Sequence, residues 1–137
     1  MPGSTTIVGG QRYLDAITGR AAAAARTMFL AALTAAPTRA TTMATMVEVA
    51  AAGYARQTVA YTAPTAADPP VTSLAAGVTF GPFTADPPSV GWVALVSVSS
   101  GTAGEIVEFW TLDTAKDVGI NDSLTAAAGT CSISSTS

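Results

Sequence analysis

Two apolar segments joined by a glycine-containing turn constrain the fold of this chain more than any other feature. Residues 90–99 place apolar side chains on both faces of an extended chain, and residues 105–112 return with a similar alternation. Residues 100–104 between them are small or glycine, as a tight turn requires. A segment that is apolar on both faces is typical of a central strand covered on both sides. The pattern therefore predicts a β-hairpin within a sheet.

Shorter segments on either side of the hairpin also combine strand composition with turn residues. Further strands are predicted over residues 54–62, 77–83, 116–120, 124–127 and 131–134. The proline-rich stretches 63–74 and 84–89 are predicted loops, because proline cannot donate to a strand ladder. This spacing predicts a mainly β fold, a β-sandwich or small barrel of about six to eight strands with one or two short helices.

A short amphipathic helix is predicted over residues 10–18. Its apolar side chains share one helical face and are Tyr13, Leu14 and Ile17. Gly19 follows directly and is a suitable C-cap.

Two further segments bear on the helix content. Residues 41–49 begin with threonines that can cap a second short helix. Residues 27–34 fit either a helix, which their alanines and the alanine run before them favour, or a buried strand that ends before Pro37. Local rules favour the helix for this second segment.

The chain length of 137 residues fits one domain, which we assign to residues 10–137. Residues 1–9 lack local structure signals and are expected to form a flexible arm that orders against a partner. They also lack the pattern of a secretory signal. The alanine run 21–25 is bracketed by Arg20 and Arg26, so no membrane helix is predicted there.

The predicted core consists of large apolar side chains from the predicted strands. They are Phe29, Leu33, Tyr54, Phe80, Trp92, Leu95, Val96, Phe109, Trp110 and Leu112.

Charged residues make up only 11% of the chain, against about 25% in ordinary soluble domains. The six basic and nine acidic residues are scattered, so no basic cluster indicates binding to nucleic acid. A surface with few ions can be desolvated against another protein at low cost. The composition therefore favours a subunit of an assembly, although a GC-rich genome would also enrich alanine, glycine, proline and arginine.

The residues that most enzymes and metal sites use are scarce. The chain has no histidine and a single cysteine, Cys131, which excludes imidazole-based triads, Cys–His pairs and internal disulfides. No phosphate-binding glycine motif is present. Glu105 and Glu108 are three residues apart, so on a strand they face opposite sides. We therefore expect no enzymatic activity and no cofactor.

Two weaker possibilities are a calcium site and a sugar-binding platform. Asp113, Asp117 and Asp122 lie near predicted turns but lack the spacing of a calcium loop, so turn formation is favoured and no metal site is predicted. Trp92 and Trp110 belong to the most apolar strands, where tryptophan more often fills a core than forms a sugar platform.

The order of segments resembles a family of small tail-fibre-like and minor structural proteins of phages that infect actinobacteria. The residues that carry the resemblance are Tyr13–Ala16, Phe29–Pro37, Glu48, Gly53–Gln57, Val78–Phe83, Ser100–Gly101, Trp110–Asp113 and Ala128–Gly129. The resemblance implies a β-sandwich-like virion module and makes residues 28–34 a strand. It also implies that Tyr54 and Arg56 form hydrogen bonds across the end of a sheet.

Two functions in the virion remain open. The first is a capsid decoration or cement protein that binds the outer shell, with the major capsid protein or other virion proteins as partners and with self-association. The alternative is a minor tail or tail-fibre component that contributes to host adsorption. Neither function involves nucleic acid or a membrane. The candidate interface residues are Arg56, Pro69, Pro70, Asp86, Pro87 and Pro88.

Overall fold

A computed structural model describes residues 3–21, 25–86 and 88–134. The chain begins with strand β1 (Ser4–Thr5) and helix α1 (Ile7–Ile17). The remaining elements are β2 (Met28–Leu33), β3 (Gln57–Val59), β4 (Val71–Thr72), β5 (Val78–Phe80), β6 (Val90–Val96), β7 (Ile106–Lys116), β8 (Leu124–Ala126) and β9 (Ile133–Ser134). The predicted mainly β class is confirmed, and no closed barrel forms within the described residues.

Five strands form one antiparallel sheet in the order β1-β7-β6-β2-β3. Two antiparallel ribbons, β4 with β9 and β5 with β8, accompany it. The predicted hairpin is the β6–β7 pair, and β6 is the central strand of the sheet. The segment 27–34 that local rules left between helix and strand is strand β2, as the family resemblance implied.

The sheet buries apolar side chains on both faces. The first face contributes Leu30, Ala32, Val93, Leu95 and Trp110, which pack with apolar residues of both ribbons. The second face contributes Ala31, Leu33, Ala94, Val96 and Phe109, which pack with Met43 and the partly buried Trp92. The doubly apolar pattern of β6 is explained because each of its two sets of side chains enters a different cluster.

A β-bulge corrects one detail of the predicted alternation. Sequence alternation places Ile106 with Trp110, but the β6–β7 register shifts between Leu95 and Val96. Ile106 therefore packs in the same cluster as Phe109. A bulge inserts an unpaired residue and reverses the alternation beyond it.

The predicted core is largely present. Leu33, Phe80, Leu95, Val96, Phe109 and Trp110 are buried. The remaining members are only partly buried and lie at the margins of the two clusters; they are Phe29, Tyr54, Trp92 and Leu112.

The flexible arm expected over residues 1–9 differs from the structure from Ser4 onward. Ser4 and Thr5 form an edge strand on β7, opposite Phe109 and Glu108. Met1 and Pro2 lie outside the described residues. The physical reason is that β7 offers an unpaired edge, which supplies backbone partners that a local reading of residues 1–9 does not contain.

Helix α1 starts three residues earlier than predicted because Thr6 caps it. The Thr6 hydroxyl accepts from the Gly9 amide at 3.0 Å and donates to the Ile106 carbonyl. Gly9 lies so close to the Val107 carbonyl that any side chain at this position would collide with it. Gly19 follows the helix with a φ of 71°, as the predicted C-cap requires.

The second helix, predicted over residues 41–49, is wrong. The Thr42 amide bonds to the Thr45 hydroxyl at 2.9 Å, which forms a local turn. The Val49 amide then donates to the Ala32 carbonyl at 3.0 Å, beside the end of β2. Threonine hydroxyls that bond nearby backbone compete with helix, and β2 provides the alternative partners.

Candidate interaction surfaces

A cluster of three polar side chains, Glu48, Tyr54 and Arg56, ties the end of β2 to the turn of the central hairpin. Arg56 makes a bidentate ion pair with Glu48, from Nε to Oε1 at 2.8 Å and from Nη2 to Oε2 at 2.7 Å. Its other bonds reach two carbonyls of the β6–β7 connection, Val98 at 3.1 Å and Gly101 at 3.0 Å. We call this arrangement the Glu48–Arg56 clamp.

Tyr54 completes the clamp from the β2 side. Its hydroxyl donates to Glu48 Oε1 at 2.6 Å and accepts from the Ala32 amide at 3.0 Å. The hydrogen bonds that Arg56 donates to Glu48 raise the pKa of Arg56, and burial raises the pKa of the Tyr54 phenol. Tyr54 and Arg56 therefore both keep their protons at ordinary pH.

Arg56 was predicted as an interface residue. In the structure its guanidinium donates hydrogen bonds to groups of the same chain. Only 6% of its side chain is exposed, and its guanidinium bonds reach two loops of its own chain. Arg56 therefore links Glu48 to the β6–β7 connection within the domain.

The two proline-rich loops place their candidate residues at the surface. Residues 63–70, which include Pro69 and Pro70, are all exposed. In the second loop Asp86 and Pro88 are exposed, while Pro87 lies outside the described residues. The Asp86 carboxylate accepts from the Ile120 amide at 3.0 Å, so this loop is anchored to the segment before β8. Both loops thus present uncharged surface apart from Asp68 and Asp86.

A groove of about 430 Å³ opens between the end of β7 and the segment that follows β8. Its lining includes the apolar side chains of Leu112 and Leu124, the Cys131 thiol, and the exposed residues Asp113 and Lys116. Burial raises the pKa of the Cys131 thiol, which therefore stays protonated and poorly nucleophilic.

The two tryptophans cannot form one sugar platform, because they lie on opposite faces of the sheet. Trp110 is in the first-face cluster, and its Nε1 donates to the Ser132 carbonyl at 3.1 Å. Trp92 is partly buried against the second-face cluster. Trp110 therefore fills a core, and Trp92 borders one.

The three aspartates considered for calcium have separate partners. The Ser89 hydroxyl donates to Asp117, and the Gly119 amide donates to Asp122 at 3.0 Å. Asp113 is one of the residues that line the groove. Within the described ranges no three acidic or thiol side chains gather as metal ligands. In the same part of the chain, no helix has both the length and the apolarity to cross a bilayer.

Glu108 is a buried carboxylate at the edge where β1 joins β7. Glu108 is only 4% exposed, and its carboxylate accepts a hydrogen bond from the Thr5 hydroxyl at 2.8 Å. Loss of solvent raises its pKa, and the Thr5 bond opposes the shift only in part. Glu105, three residues earlier, behaves in the opposite way: its bond from Arg12 lowers its pKa.

These opposite shifts predict opposite pH dependences. Above the ordinary glutamate pKa of about 4.3, unfolded Glu108 ionises while the folded residue resists ionisation, so rising pH destabilises the fold. A Glu108→Gln variant should therefore gain stability relative to the wild-type protein as pH rises from about 4 to 7. Urea unfolding at several pH values measures this difference.

Glu105→Gln is the control for that experiment. Folded Glu105 ionises more readily than unfolded, so its stabilisation is present above the ordinary glutamate pKa and is lost as pH falls through the lowered value. This variant should lose stability relative to the wild-type protein toward neutral pH. Equal pH profiles for the Glu108→Gln and wild-type proteins would show that Glu108 is solvated.

Comparison with protein families identifies the group to which the fold belongs. A model of the family described as podophage GP4 fiber I protein gp80 matches residues 4–134. The match spans helix α1 and every strand from β1 to β9. This chain belongs to the gp80 fiber I family. It is therefore a structural protein of a phage virion. None of the curated proteins compared with the chain matches it.

Membership in the gp80 family confirms the resemblance to phage virion proteins at that level. The link to phages of actinobacteria stays a prediction. Sequence patterns alone give Glu48 no role, although it carries part of the resemblance, and they do not identify Thr6 as a cap. The available signals were a lone acid shortly before Tyr54 and Arg56, and a threonine directly before an apolar residue.

Proposed function

We propose that this chain is a non-enzymatic component of a phage tail fibre, which works by packing against neighbouring virion proteins. The observation that carries the proposal is the gp80 fiber I family match over residues 4–134. Nearly the whole chain corresponds to the family, so the fibre assignment applies to the fold as a unit.

The charge distribution supports attachment through uncharged surface. Four of the six basic side chains form ion pairs with three carboxylates of the same chain, Arg12 and Arg26 sharing Glu105; the four are Arg12, Arg20, Arg26 and Arg56. Long-range attraction to a charged partner is therefore weak, and it is screened within about 8 Å at physiological salt. The exposed, proline-rich residues 63–70 offer backbone and small side chains for contact instead.

Capsid decoration was the first interpretation of the sequence, and the family description fits it less well than a fibre. Low charge favoured a subunit of an assembly, and this feature is equally compatible with a small fibre module attached to other proteins. The partners we propose are accordingly other tail proteins in preference to the major capsid protein.

Immunogold labelling of purified particles, combined with counting of this chain per particle by quantitative mass spectrometry, tests the proposal. A fibre component should label the tail and be present in far fewer copies than the major capsid protein, which serves as the internal standard. Label spread over the head, with a copy number comparable to that of the shell subunits, would establish decoration and overturn the fibre assignment. Washing at high salt should not release the protein.

A further inference from the structure

Strand β7 contains a segment that lies outside both of its ladders. On the side of β6, the register shifts between Val90 and Trp92, and residues 112–115 have no Cα partner there. On the other side, β1 pairs with β7 only as far along as Phe109. A bulge of this kind leaves the extra residues unpaired. In the described part of the chain, residues 112–115 therefore present backbone groups that no strand pairs with.

Strand β8 also has an unpaired edge. Its residues 124–126 pair with β5, and no second strand pairs with them among the residues that the structure describes. An edge without a partner presents a row of N–H and C=O groups, which is a template for one more strand. On one side, β8 is thus open to a further strand.

The groove between β7 and β8 is lined by both of these open segments. Residues 112–114 and 116 contribute from β7, and residues 124–126 contribute from β8. The buried Phe80 and Val93 also line it, so part of the groove is apolar. Its volume of about 430 Å³ is within the range of protein binding sites. We call it the β7–β8 groove.

We propose that the β7–β8 groove binds an extended segment of a neighbouring virion protein, which adds to the fold as a further strand. Unpaired backbone groups on both strands select an extended polypeptide, because a helix satisfies its own N–H and C=O groups internally. That the partner is a virion protein rests on the proposed function. That the partner is an extended strand rests on the two open segments alone.

A second copy of this chain is a poor source of that strand. Both terminal strands of the described residues are paired within their own domain, β1 with β7 and β9 with β4. A second copy would have to give up one of these pairings to donate a segment. A different protein with an extended segment of its own has no such cost.

Two charged residues in the groove define the segment further. Asp113 and Lys116 are exposed, and neither forms an ion pair with another described residue. Opposite charges on one strand favour a partner that carries the complementary pair, and they also fix its direction. Leu112 and Leu124 favour apolar side chains at alternate positions of the segment. The partner segment is therefore predicted to alternate apolar residues and to carry one charge of each sign.

Hydrogen exchange measured by mass spectrometry, on the isolated chain and on the chain in purified particles, tests the proposal. In the isolated chain the amides of residues 112–115 should exchange rapidly, because they lie outside both ladders. In particles they should exchange roughly tenfold more slowly or less, because an added strand accepts their hydrogen bonds. Residues 93–95 of the central strand are the internal control and should exchange slowly in both states.

The outcomes separate this proposal from the fibre assignment. Equal exchange of residues 112–115 in the isolated chain and in particles would overturn the strand proposal and leave the fibre assignment standing. Particles that lack the chain would overturn the fibre assignment, and with it the partner named here. Protection that develops in the isolated chain as its concentration rises would identify a second copy as the occupant, which also overturns the proposal.

Thr114→Pro and Ala115→Pro test the backbone pairing directly. Proline removes the backbone donor, and it is tolerated at bulges, so both variants should melt close to the wild-type protein. Successive residues of a strand point their N–H groups to opposite edges. One variant should therefore lower incorporation into particles roughly tenfold, and the other, its matched control, should be incorporated normally. Normal incorporation of both, or an equal loss in both when both are folded, would overturn the proposal. If either variant fails to fold, the exchange of residues 112–115 in the wild-type protein decides.

Discussion

Replacement of Trp110 by alanine should lower the free energy of unfolding by about 4 kcal/mol, as truncation of a fully buried aromatic side chain does. Trp110 is 1% exposed and lies in the first-face cluster, between the central sheet and the ribbons. Its indole also donates to the carbonyl of Ser132, directly before β9, so the variant loses this hydrogen bond as well. Urea unfolding followed by circular dichroism measures the loss.

Trp92→Ala is the matched control for Trp110→Ala. The two residues lie on adjacent strands of one sheet, but Trp92 keeps part of its ring in solvent. Its truncation removes less buried area and should cost about half as much, roughly 2 kcal/mol. If both variants unfold like the wild-type protein, neither ring belongs to a core, and a role for these tryptophans in ligand binding would become the better explanation.

The central strands of the sheet could be predicted because the apolar pattern of each strand's own residues indicates which side chains are buried. The apolar alternation of residues 90–96 specifies a strand covered on both faces, and the turn before Glu105 specifies its partner. These are local properties, and β6 and β7 are found where the pattern places them. Segment 27–34 shows the limit of such rules. Its alanines favour a helix locally, but pairing with β6 makes it a strand.

What the sequence could not predict depends on partners distant in the chain. Residues 41–49 have a threonine cap and apolar spacing, yet they lie beside β2 because that strand offers free backbone groups. Ser4 and Thr5 contain no strand signal and become β1 only because β7 has an open edge. Deletion of residues 1–9 would therefore remove β1 and the Thr6 cap and would perturb the fold itself.

Replacement of Arg56 by methionine should destabilise the protein by about 3 kcal/mol, the loss seen when one partner of a buried ion pair is removed. Methionine keeps much of the side-chain volume, so the change acts mainly on charge and hydrogen bonds. Glu48 would be left with the Tyr54 hydroxyl, and the carbonyls of Val98 and Gly101 would lose their donor. Urea unfolding of the variant measures the effect.

Arg20→Met is the control, because it removes the same charge from an ion pair at the surface. The Arg20 side chain is 79% exposed, and surface pairs contribute little to stability. Its melting curve should therefore be close to that of the wild-type protein. An equal loss in both variants would mean that net charge matters for stability, and that the geometry of the Glu48–Arg56 clamp does not.

A second change at Glu48 distinguishes a coupled clamp from two independent residues. If Arg56 stabilises the fold through the carboxylate, Glu48→Gln together with Arg56→Met should cost less than the sum of the two single changes, by about 1–3 kcal/mol. Additive losses would show that Arg56 acts through Val98 and Gly101 alone.

The same variants address the predicted interface role of Arg56. Since its donors are used within the chain, poor incorporation into particles should follow the loss of stability, and a stable variant that fails to incorporate would show direct contact with a partner.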